Sequence, residues 1–258
     1  MRPLVVSGWK MNLTSTEARS YLEALVPLVR STRGGVEGEL GGCDLVVVPP
    51  FTSIWVARDC LDGSGIQWGA QDVHPDDAGA HTGDVSAPML ADLGCSLVEV
   101  GHAERRRDYH ETDELIGAKI GAVLRWGMTA MLCVGEEEPM SRTSTLDFLR
   151  RQVEPALAYD PARIVVAYEP VWAIGTGSEP ADPAWVQDIH GEIHDWLGRG
   201  GTNGARVIYG GSVDSESAAE ILRRPGVDGL GVGRSSLDPE VLATIVRGAA
   251  ARRSEEQV

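Results

Sequence analysis

The chain has 258 residues, with Asp+Glu 38 against Lys+Arg 23, a formal net charge of −15, and 43% hydrophobic residues. That length suits one large domain or two small ones, and a single α/β barrel fits it. The acidic balance excludes a duplex nucleic-acid binder, which needs clustered cations. No window reaches ~18 consecutive apolar residues, so no membrane span is expected.

Short apolar runs alternate with longer amphipathic stretches from end to end. Residues 4–7, 45–48, 66–70, 97–100, 129–134, 164–168, 206–209 and 228–232 read as buried strands, most of them rich in Val, Ile or Leu. Between and after them, residues 16–30, 52–61, 86–93, 113–126, 144–158, 182–198, 215–223 and 239–252 read as helices. Thr14 and Ser15 precede the first helix, with Glu17 in its opening turn, and Asp238-Pro239-Glu240 opens the last. Strict alternation is the signature of parallel βαβ units. An open doubly wound sheet and a closed (β/α)8 barrel both fit, and eight units with no leftover half favour closure. We therefore expect one barrel domain over residues 1–258, with the polar tail after about residue 252 frayed. Cys43, Cys60, Cys95 and Cys133 are scattered, with no CxxC pair. The start MRPLVVSGWK has no secretory apolar core with a cleavage site. Both features point to a cytoplasmic protein with reduced thiols.

In such a barrel, chemistry sits where the strands end. Gly8-Trp9-Lys10-Met11-Asn12 follows the first strand. Lys10 either snorkels to water or stands as a fixed cation for an anionic substrate. Gly101-His102-Ala103-Glu104 follows the fourth, with three arginines behind it. A lone histidine such as His102 is more often structural than catalytic, and Glu104 and the arginines also fit surface ion pairs. Glu169-Pro170-Val171-Trp172-Ala173-Ile174-Gly175 follows the sixth. A carboxylate before an apolar loop suggests a base under a water-excluding lid, or simply a loop packed on its neighbours. Gly210-Gly211-Ser212 and Gly233-Arg234-Ser235 follow the seventh and eighth, the expected place for a phosphate held by backbone N–H groups. Together these parts suit proton abstraction next to a carbonyl, with the lysine and imidazole on the enediolate oxygens. No cofactor is called for, and no metal-ligand spacing is visible in the sequence.

These segments resemble the triosephosphate isomerase family along essentially the whole chain. The strongest are WKMN at 9–12, the GAQ-to-HTGD stretch at 69–84, VGHAERR at 100–106, CVGE at 133–136, AYEPVWAIGTG at 167–177, YGGSV at 209–213 and DGLGVGRSSL at 228–237. The resemblance implies the TIM-barrel fold, with Glu169 as base, His102 as neutral electrophile, Lys10 as cation and Glu104 as the carboxylate holding that lysine. It implies phosphate contacts at Gly175, Ser212, Gly233 and Arg234, and a hinge Trp172 partnered by Glu136. It also implies a homodimer in which Thr82, in the 79–83 loop, sits beside the partner's site.

Four departures stand out. Gly8 replaces the family's asparagine before Trp-Lys, Arg234 replaces a phosphate glycine, Ala103 replaces a serine, and Ser178-Glu179-Pro180 replaces the lid's Lys-Thr-Ala exit hinge. Gly8 and Arg234 resemble the branch that turns L-erythrulose 1-phosphate into D-erythrulose 4-phosphate, in erythritol breakdown. That four-carbon reading is the favoured expectation, with glycolytic triose phosphate isomerisation as the alternative. A catalytically dead scaffold is the remote third reading, because Lys10, His102 and Glu169 are all intact.

Overall fold

Apolar strands a few residues long bury both faces only when they are covered on the outside and closed on the inside. The computed structural model, which describes residues 1–30, 42–174, 181–198 and 204–255, solves this with a closed barrel. The strands are β1 (Leu4–Gly8), β2 (Asp44–Val48), β3 (Gln67–Ala70), β4 (Leu97–Val100), β5 (Thr129–Val134), β6 (Ile164–Tyr168), β7 (Arg206–Tyr209) and β8 (Gly229–Val232). They pair in parallel in chain order, and β8 returns to β1 with Leu4 opposite Gly229. The open-sheet alternative is thereby excluded.

Strand side chains alternate between faces with a period of two. Leu4, Val6, Leu97, Met131, Val165 and Ile208 meet inside the barrel as one apolar cluster. Val5, Val98 and Val166 point outward into a second cluster shared with helix residues such as Leu22, Ile120 and Ile245. Carried one step further along each strand, the inward parity reaches Gly8 on β1, Glu99 on β4, Glu169 just past β6 and Gly210 just past β7. That upper layer is the floor of the barrel mouth.

Nine α-helices lie among the described residues: α1 (Ser15–Arg30), α2 (Ile54–Leu61), α3 (Ala87–Asp92), α4 (Ala103–Tyr109), α5 (Asp113–Arg125), α6 (Arg142–Val153), α7 (Pro183–Trp196), α8 (Ser217–Leu222) and α9 (Pro239–Glu255). Eight correspond to the expected ones. α6 stops five residues before the expected 158, giving way to a 3-10 turn at Glu154–Ala156. Pro155 has no N–H to continue the α-helical ladder there. α9 runs on through Glu255, past the expected end at 252.

The unexpected helix is α4. Its sequence AERRRDY has no buried residue, so it carries no apolar period to reveal it. Ion pairs hold it instead. Arg105, in α4, bonds Asp72 at 2.7 Å and Glu111 at 2.6 Å. Lys119 from α5, only 4% exposed, bonds the same two carboxylates at 2.6 Å each. Two cations and two carboxylates neutralise one another, and α4 is fixed at the rim of the mouth.

Candidate active site

Lys10 leaves β1 with φ 51, a left-handed conformation that a residue with a side chain adopts only under constraint. Gln71 supplies the constraint: its Nε2 donates to Lys10 O at 3.0 Å and to Val48 O at 3.1 Å. The ammonium is not loose in water. Lys10 Nζ donates to Glu104 Oε1 at 2.8 Å. Burial works against the charged amine. The hydrogen bond to Glu104 and the charges of Glu104, Glu169 and Glu99 outweigh that cost and hold the pKa above its ordinary 10.5. Glu104 is itself held below the ordinary carboxylate value: burial opposes this, and the bond from Lys10 and the His102 ring override it.

His102 is the N-cap of α4, and its Nδ1 accepts the Glu104 backbone N–H at 3.2 Å. An Nδ1 used as acceptor leaves the ring proton on Nε2. That nitrogen faces Glu169 Oε2 at 3.5 Å. The helix that the sequence conceals therefore fixes both the place and the tautomer of the imidazole.

Glu169 is 6% exposed, and its Oε2 has no hydrogen-bond partner. Its backbone is locked, with the N–H donating to Val134 O at 2.7 Å. Two glycines make room for it. A Cβ on Gly210 would lie 2.6 Å from Glu169 Cγ, and one on Gly135 would lie 1.8 Å from Glu169 O. A buried carboxylate oxygen with nothing to bond is free for a substrate proton.

The turns expected to hold phosphate are laced together. Ser212 Oγ donates to Ala173 O at 2.7 Å, tying the turn after β7 to the turn after Glu169. Ser235 Oγ donates to Val213 O at 2.7 Å, tying the turns after β7 and β8. A Cβ on Gly233 would lie 4.0 Å from Lys10 Cε, so that turn borders the cation. Arg234 opens the following 3-10 turn, Arg234–Leu237, and is exposed. Gly175 and the segment Ser178-Glu179-Pro180 lie outside the described residues. The expected hinge contact is present: Trp172 Nε1 donates to Glu136 Oε1 at 2.9 Å, and Tyr168 OH donates to the same oxygen at 3.0 Å. Of the arginines after His102, Arg105 is half-buried in the ion-pair network and Arg106 donates to Gly101 O at 2.7 Å. Arg107 forms the exposed pair, with Asp108.

Sequence reasoning passed over Gln71, which lies within a quoted stretch, and Glu99, which lies within a recognised strand. A signal for Glu99 existed: in β4 it shares the inward parity of Leu97. Its carboxyl approaches His102 and Glu169, one ligand atom from each of the three lying within 4.8 Å of the others. A second such set, His74, His81 and Asp84, forms on the exposed stretch between β3 and α3. Folding gathers the first set, bringing Glu169 to Glu99 and His102, whereas His74, His81 and Asp84 lie close together in sequence and their spacing was passed over.

A base, a ring N–H donor, a fixed cation and glycine turns around one mouth can move a proton between neighbouring carbons of an anionic carbonyl compound. The base would take a C–H proton while the cation and the ring N–H hold the oxygen on which charge develops.

The comparisons with known proteins agree with that geometry. The family model described as Triosephosphate isomerase matches residues 3–249. The chain belongs to the triosephosphate isomerase family. The triosephosphate isomerase of Moorella thermoacetica is 43% identical over 253 residues, covering 95% of this chain and 98% of the relative. That of Aquifex aeolicus is 39% identical over 253 residues, covering 95% and 99%. The crystal structure of triosephosphate isomerase from Bartonella henselae superposes with a TM-score of 0.83 at 36% identity, covering 96% and 99%. The chain is an isomerase of this family. These relatives bear the name of the three-carbon reaction, so they favour the alternative over the four-carbon expectation.

Proposed function

We propose that this family member interconverts dihydroxyacetone phosphate and glyceraldehyde 3-phosphate through an enediolate. The supporting observation is the convergence of Lys10, His102 and Glu169 at one mouth, with Glu169 Oε2 lacking a partner and 3.5 Å from His102 Nε2. Glu169 takes the proton from the carbon bearing the hydroxyl. The C–H electron pair becomes the C=C bond, and the carbonyl electron pair moves onto oxygen. Lys10 Nζ and His102 Nε2–H stabilise that oxyanion, an interaction stronger in the transition state than in the ground state. The protonated Glu169 then returns the proton to the neighbouring carbon, and the oxygen-bound proton changes sides through His102. Atoms and electrons balance without an outside oxidant or reductant. The phosphate is read as lying against the Ser212, Gly233 and Arg234 turns, with Gly175 closing over it.

One observation favours a second reading. A Cβ on Gly8 would meet no atom nearer than Glu99 Oε1, at 4.0 Å. The position of the family's asparagine side chain is read as open beside the reacting carbons, where the extra hydroxymethyl of L-erythrulose 1-phosphate would lie. Filling it would be worth about 0.8 kcal/mol per buried CH2.

The chain is further read as a cytoplasmic homodimer, with Thr82 beside the partner's site. Support comes from the exposed stretch 76–84 and from Met11, 95% exposed directly after Lys10. A coupled assay on one preparation tests the chemistry. Turnover of dihydroxyacetone phosphate is expected, and a folded protein that turns over neither phosphate would overturn the proposal.

A further inference from the structure

A carboxyl side chain in the inward layer of a barrel mouth is expensive, and Glu99 occupies such a position without using the local means of offsetting it. Among the described residues its carboxyl has no hydrogen bond and no ion pair within 4.0 Å, although Glu169 and His102 stand close by. The neighbouring inward residues on β4 and β5, Leu97, Met131 and Cys133, are apolar or nearly so and fully buried. Glu99 nevertheless remains only half-buried. It faces into the barrel and is still touched by solvent. Beside it the missing side chain of Gly8 leaves a hollow: a Cβ there would have Glu99 Oε1, at 4.0 Å, as its nearest neighbour. The missing side chain on β1 and the added carboxyl on β4 share one space.

Unpaired polar groups in such places are satisfied by water or by a ligand. The occupant here must be small, must hydrogen-bond a carboxyl, and must reach Lys10, His102 and Glu169 from the Gly8 side. A hydroxyl on a carbon adjoining the reacting pair meets all three conditions. A bare methylene would leave the carboxyl unpaired.

We propose that Glu99 and Gly8 together form a polar subsite that binds a hydroxyl of a ketose phosphate longer than three carbons, with Glu99 as the specificity-determining group. The inference rests on the isomerase reading of the site and extends its substrate class. Glu99 is suited to the task in either protonation state. Burial raises its carboxyl most, with the charge of Glu169 adding to the rise against opposition from His102 and Lys10, to about 7. Near neutrality it can therefore donate a hydrogen bond to a hydroxyl oxygen or accept one from the hydroxyl proton. A site built to bond a hydroxyl discriminates, because a substrate without that hydroxyl leaves the half-buried carboxyl without its partner.

The test measures kcat/KM for L-erythrulose 1-phosphate and for dihydroxyacetone phosphate on the same preparation, so that the ratio of the two is independent of the active fraction. Wild type, Glu99→Val, Glu99→Gln and Gly8→Asn are compared. Wild type is expected to turn over both compounds. Glu99→Val should lower the tetrulose-to-triose ratio at least tenfold, chiefly through a higher tetrulose KM. Glu99→Gln, which keeps hydrogen-bonding capacity, should lower it less. Gly8→Asn should lower it by filling the hollow. An unchanged ratio in Glu99→Val would overturn the proposal, as would a wild type that processes the triose and ignores the tetrulose. Should Glu99→Val not fold, the near-isosteric Glu99→Gln decides: a ratio equal to wild type counts against the subsite and a lowered one for it. Failure of folded wild type on both compounds would instead strike the isomerase reading itself.

Discussion

Glu169 works in a space cut to its side chain. Because a Cβ at Gly210 would lie 2.6 Å from Glu169 Cγ, Gly210→Ala must push the proposed base aside. A displacement of about 1 Å costs on the order of 10²-fold in rate. Steady-state kinetics should show that loss in kcat with the melting temperature little changed; an unaffected kcat would show that the base has slack. Glu99 supplies a different signature. Its folded-state pKa of about 7 stands above the ordinary 4.5, so the native state holds the proton more tightly than the unfolded chain. That contribution to stability is fully present below pH 4.5 and is lost as pH rises through 7. Relative to wild type, Glu99→Gln should therefore gain stability between pH 4.5 and 7, by up to about 3 kcal/mol. Denaturant titrations at several pH values would check this, and parallel curves would refute it. The trio Lys10, His102 and Glu169 was legible because motif residues follow closely on strands. Glu99 was not, because in a run such as Leu97-Val98-Glu99-Val100 overall hydrophobicity marks the strand and hides the parity.

At the scale of elements, eight short apolar strands announce themselves and their parallel order follows from the alternation with helices. α4 does not. Its stability comes from Arg105 and Lys119 on Asp72 and Glu111, groups separated widely in sequence and joined only by the fold. Helix boundaries were legible where a proline marks them, as at Pro239, and drifted where a helix tightens into a 3-10 turn, as after Val153. The network that carries α4 also carries His102 and Glu104. Lys119→Met leaves buried Glu111 and half-buried Asp72 with one cation, and removing one partner of a buried pair costs about 3–5 kcal/mol. Chemical denaturation should show a loss of that size together with a fall in kcat as the imidazole loosens. A loss below about 1 kcal/mol would mean that the network is solvated and α4 is held by other means.

The whole molecule combines an acidic body with a mouth that holds one fixed ammonium, Lys10. A formal charge of −15 favours solubility. Capture of an anionic sugar ester then depends on Lys10 and the glycine turns rather than on global attraction. Assembly bears on the same mouth, since Met11 adjoins Lys10 and is 95% exposed. Sedimentation should find a dimer, and Met11→Glu should shift it toward monomer with reduced turnover. A wild-type monomer of full activity would contradict the assembly reading.

The central claim is that Glu169 itself carries the proton. The most direct measurement follows dihydroxyacetone phosphate by proton NMR in D2O with wild type and with Glu169→Gln. Wild type should isomerise the substrate and exchange one carbon-bound hydrogen for deuterium. The glutamine variant should lose both activities together, by about 10²–10⁴-fold, the range for a positioned general base. Exchange that persists at the wild-type rate in Glu169→Gln would place the base elsewhere.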